Sequence, residues 1–63
     1  MIVVINLSEG KYTASGKTKN NTVISVSEKE IHTVKDSFTR LYESMVIRNN
    51  LEKEKIRFRS NIE

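Results

Sequence analysis

The sequence predicts an α+β fold: a small antiparallel β-meander of two or three strands, then one long amphipathic helix. Three observations point to it. Residues 2–7 are an apolar, β-branched run, Thr22–Val26 repeats that character, and a helix-start pattern follows at Ser27. The 63 residues are read as one small domain. A chain of that size buries only about 60% of the surface its unfolded form exposes.

The first predicted strand, about residues 2–7 (Ile-Val-Val-Ile-Asn-Leu), is apolar at both odd and even positions. That pattern is expected of a strand covered on both faces, or covered by a helix on one and a dimer mate on the other. Ser8-Glu9-Gly10 reads as a three-residue hairpin loop with Gly10 supplying the left-handed residue. The second strand, about 11–16, alternates weakly, with Tyr12 and Ala14 on one face and Thr13 and Ser15 on the other. Lysine at its start suits an edge position. Lys17 to Asn21 reads as a loop, and about 22–26 as the third strand.

Ser27-Glu28-Lys29-Glu30 has the form of a capping box, with Val26 and Ile31 at the staple positions. Acids in the first turn agree with the helix dipole. A helix over about 28–48 is predicted, with Ile31, Val34, Phe38, Leu41 and Met45 as its buried stripe. Tyr42 and Val46 widen that stripe, and Asn49-Asn50 can end the helix through a left-handed residue.

Residues 49–63 read two ways. Propensity favours continued helix, and that is the preferred reading. Against it, Lys53/Arg57 and Lys55/Arg59 would be like-charged i,i+4 pairs on a helix. In a final strand, Ile56, Phe58 and Ile62 would share one face, opposite Lys55, Arg57 and Arg59.

Composition narrows function by exclusion. There is no Cys, and His32 is the single imidazole, so disulfide and zinc staples are not expected. No run approaches the roughly 20 apolar residues of a membrane span. Gly16-Lys17-Thr18 evokes a phosphate-binding loop, but five residues separate Gly10 from Gly16, one too many for that motif. No nucleophile–base set is recognisable. The expectation is a cytoplasmic, non-enzymatic protein with no catalytic residue, cofactor, metal or small-molecule substrate.

Two function classes follow. The first is a protein-interaction or regulatory module, self-associating or bound to a protein partner, with Ile47, Leu51, Ile56, Phe58 and Ile62 as the surplus apolar surface. Its Lys-, Asn- and Ile-rich composition would suit a viral, phage or mobile-element accessory protein. The second is a basic nucleic-acid-binding protein using Lys17, Lys19, Arg57 and Arg59 on phosphates. The net charge is +3, and the segments Lys11–Lys19 and Arg48–Arg59 are its basic parts. A base-stacking sheet would need exposed rings on its strands, and Tyr12 is the one candidate.

Overall fold

The computed structural model of the chain describes residues 1–61. Three strands, β1 (Ile2–Ser8), β2 (Lys11–Lys17) and β3 (Val23–Glu28), form an antiparallel meander. Helix α1 (Ile31–Asn49) follows, and a short strand β4 (Arg57–Ser60) pairs parallel to β1. The sheet order is β3-β2-β1-β4, so the helix carries the chain from one sheet edge to the other. Crossovers of this kind join strands that run in the same direction.

The core lies between one sheet face and the helix. Val3 and Ile5 of β1, Ala14 of β2 and Ile24 of β3 are buried against Val34, Phe38 and Tyr42 of α1. Strand β1 is thus covered on one face only, because the single helix lies on one side of the sheet. Ile2 remains 59% exposed, so within this chain the helix covers one face of β1 and no second element covers the other among the described residues.

The helix begins later than the capping box predicts. Ser27 and Glu28 belong to β3, opposite Thr13 and Tyr12 of β2. The helix N-cap is Glu30, with no side-chain cap and no acid in the first turn. Ser27 instead shares a 2.9 Å hydrogen bond with the Thr13 hydroxyl across the sheet. The Ser37 hydroxyl donates to Glu28 Oε1 at 3.1 Å. Extending the β2–β3 ladder satisfies the backbone of residues 27 and 28, and this outcompeted one turn of helix. The buried stripe is also rotated from the expected one. Tyr42 is 1% exposed and Leu41 39%, because the line Val34–Phe38–Tyr42 at i,i+4 spacing faces the sheet.

At its other end the helix stops as read, with Asn50 left-handed (φ 51°) and its amide bonded to the Val46 carbonyl. The chain then runs as a connector rather than continued helix. Tyr42 Oη accepts the Glu54 amide at 2.7 Å and donates to the Glu52 carbonyl at 3.3 Å. Glu54 also takes the Lys19 amide on Oε2, and its Oε1 lies 3.7 Å from the Met1 ammonium. Beyond it, the Arg57 amide donates to Met1 O and the Asn61 amide to Ile5 O. The preferred helical reading of the tail is therefore corrected to connector plus strand: pairing with the free edge of β1 satisfies backbone groups without stacking Lys53 on Arg57.

Candidate functional site

Alternation along each strand sends every second side chain to the face opposite the helix. The register assembles that face in rows. Val4 of β1 is level with Ser15 on one side and Arg59 on the other, and Ser15 is level with Ser25. One row away, Ile2 pairs with Arg57, and Lys17 pairs with Val23. Continuing the Val3–Gly16 register by one step puts Lys17 beside Ile2. In the other direction Asn6 is level with Thr13, Thr13 with Ser27, and Asn61 Nδ2 donates to Asn6 Oδ1 at 3.1 Å. Lys11 closes the face at the hairpin end, paired with Ser8.

The result is a helix-free sheet face of short hydroxyl side chains and aliphatics, bearing Lys17, Arg57 and Arg59. Lys11 stands at its hairpin-end margin, where it borders a depression shared with Ser27, Glu28 and Glu30. None of the strand positions on this face is an acid. Glu28, the one acid within a strand, is level with Tyr12 on the helix side. Among the described residues, no ion pair engages these four cations. The ion pairs that exist lie elsewhere: Arg40 with Asp36 along the helix, His32 with Glu30 at its start, and the Met1 ammonium with Glu54.

Three of the four predicted cationic residues, Lys17, Arg57 and Arg59, are brought to this face. Lys19 is not; it sits in the exposed loop between β2 and β3, where its amide bonds Glu54. The sequence places Lys11 in the basic Lys11–Lys19 segment without singling it out, and Ser15, Ser25 and Ser27 are not among the site residues it points to. The Lys11-Thr13-Ser15-Lys17 alternation was the signal that could have placed two of them.

The predicted apolar surface is distributed differently. Phe58 faces the helix and meets Phe38 edge-on, ring centroids 6.1 Å apart, with Lys35 Nζ 5.9 Å from its centroid. Ile56 packs against the core, and Leu51 is half-buried. Ile47 is 83% exposed, and Ile62 lies outside the described residues. Tyr12 is half-buried on the helix side, so it offers no ring to the open face.

Gly16-Lys17-Thr18 is the end of β2 and the start of a loop rather than a phosphate cradle. Thr18 is buried, and its Oγ1 accepts the amides of Asn20 and Thr22 at 3.2 and 3.1 Å. Among the described residues, no group of His, Asp and Glu is placed to hold a metal ion, and no helix is long and apolar enough to cross a membrane.

Fold and face together define a small α+β protein with one sheet face buried under a helix and the other open and cationic. Comparison with protein-family models, curated proteins and solved structures finds no match of any of the three kinds.

Proposed function

We propose that this chain is a non-enzymatic nucleic-acid-binding module that contacts phosphates through its open sheet face. The observation that supports it is the convergence of Lys17, Arg57 and Arg59, far apart in sequence, on one face where no strand position among the described residues is an acid. Cations with no ion pair among the described residues raise the local positive potential, and phosphate contact releases counterions from the nucleic acid. Guanidinium groups suit phosphate oxygens because they donate in a planar fork.

The test is fluorescence anisotropy with a short generic DNA at low and moderate salt. Arg57→Ala with Arg59→Ala is expected to weaken binding about tenfold or more at low salt and to flatten the salt dependence. Circular dichroism should remain unchanged. Arg48→Ala with Lys53→Ala removes the same charge away from the open face and is expected to have a much smaller effect. Equal losses from the two pairs would mean that diffuse net charge, rather than this face, is responsible. No binding at low salt would end the reading.

A second reading, a self-associating interaction module, draws support from Ile47, exposed beside Val46 on a shallow depression that Glu43 and Lys53 complete. Light scattering after size exclusion tests it. A salt-insensitive dimer that Ile47→Ser dissociates supports self-association, and a monomer at high concentration removes it.

A further inference from the structure

Resting on the nucleic-acid reading, we infer that the partner of the open face is a duplex gripped across a groove, not a single strand. Two independent features lead there. The first is the placement of the rings. All four aromatic residues, Tyr12, Phe38, Tyr42 and Phe58, are on the helix side or in the helix. Proteins that bind single strands stack successive bases on exposed rings, and that stacking supplies much of their affinity. This face has hydroxyls and aliphatics where such rings would stand, so an unpaired base finds no aromatic platform on it.

The second is the spacing of charge. Lys17 and Arg57 flank Ile2, two strand spacings or roughly 10 Å apart, with Arg59 about 7 Å further along β4. Lys11 stands at the opposite end of β2, six residues and therefore about 20 Å from Lys17. The row Ser25–Ser15–Val4 ends on Arg59, so the uncharged part of the face is the row of Asn6, Thr13 and Ser27 between Arg59 and Lys11. Lys11 stands four residues, or about 13 Å along the strands, from the row of Arg59, a spacing that suits two phosphate ridges across the B-form major groove, which is about 12 Å wide. A single strand offers one ridge and would leave one end of the face unused. The middle of the face carries little that reads bases: Asn6 Oδ1 is occupied by Asn61, and Thr13 and Ser27 bond each other. Recognition is by phosphate position and groove shape, with weak sequence preference.

The experiment compares a generic duplex with one of its strands, matched in total phosphate number, in anisotropy titrations at several salt concentrations. The duplex is expected to bind about tenfold or more tightly. Four phosphate contacts should give a log–log salt slope of roughly −3.6 on the duplex. Lys11→Ala should lower duplex affinity and reduce that slope by about one, while scarcely changing strand binding. A strand that binds as tightly as the duplex, or a Lys11→Ala variant that behaves as the parent on the duplex, overturns the groove-spanning inference and leaves phosphate binding in place. Failure of both probes to bind at low salt overturns the nucleic-acid reading itself.

Discussion

At the scale of single residues, Gly16 matters for space rather than for backbone freedom. It sits opposite Val3, and a Cβ there would stand 3.0 Å from Val3 Cγ2, 3.1 Å from Met1 Sδ and 3.2 Å from Phe38 Cζ. Gly16→Ala requires Val3, Met1 and Phe38 to give way by a few tenths of an ångström and is expected to cost about 1 kcal/mol, the low end of the range for overpacking a filled core. Urea denaturation measures it; an unchanged midpoint would mean that Val3 and Phe38 yield freely. Thr18 illustrates the opposite economy, since one buried hydroxyl serves two loop amides. Its neighbour in that loop, Asn21, takes the left-handed conformation (φ 65°) that asparagine tolerates better than most residues.

Among the elements, the β1–β2 hairpin is the least well matched to its sequence. Ser8 pairs with Lys11, so the connection is a two-residue turn, not the three-residue loop expected from Ser8-Glu9-Gly10. Glu9 and Gly10 both have positive φ, 53° and 75°, as in a type I′ turn. Glutamate is poorly suited to the first of those positions, where Asn is strongly preferred. Glu9→Asn should stabilise the protein by about 0.5–1 kcal/mol, seen as a Tm higher by several degrees. A lower Tm would show that Glu9 makes a compensating interaction. Helix α1 shows why local rules can agree with one another and still misplace a boundary. Ser27 and Glu30 satisfy the capping-box pattern, yet Ser27 hydrogen-bonds Thr13 on the neighbouring strand.

For the whole molecule, the closing strand ties the two ends of the chain together. Phe58 fills the space beside Phe38 and is level with Val3, so β4 is held by its ring as well as by its backbone. Phe58→Ala should cost about 2 kcal/mol, less than for a fully buried ring because Phe58 is half-buried. Hydrogen exchange should then show the amides of Arg57 and Asn61 losing protection before those of β2 and β3. Uniform protection across the sheet would mean that β4 does not depend on this ring. The same substitution bears on function, because a released β4 would take Arg57 and Arg59 off the open face. Phosphate binding should fall with it although no cation has been removed.

What the sequence determined by itself is whatever depends on neighbours a few residues apart. The β-branched run of β1, the weak alternation of β2, the helical stripe through Val34 and Phe38, and the stop at Asn50 all arise from backbone periodicity and local conformational preference. Tertiary structure alone decided the start of the helix, the pairing of residues 57–60 with β1 as a fourth strand, and the position of Phe58 against the core. It also gathered Lys17 with Arg57 and Arg59, residues whose separation in sequence concealed that they share a face. Each of these depends on partners in distant parts of the chain, as Asn61 does on Asn6 across 55 positions. A free edge on β1 offers hydrogen bonds that no local propensity records, and those bonds chose strand over helix for the tail.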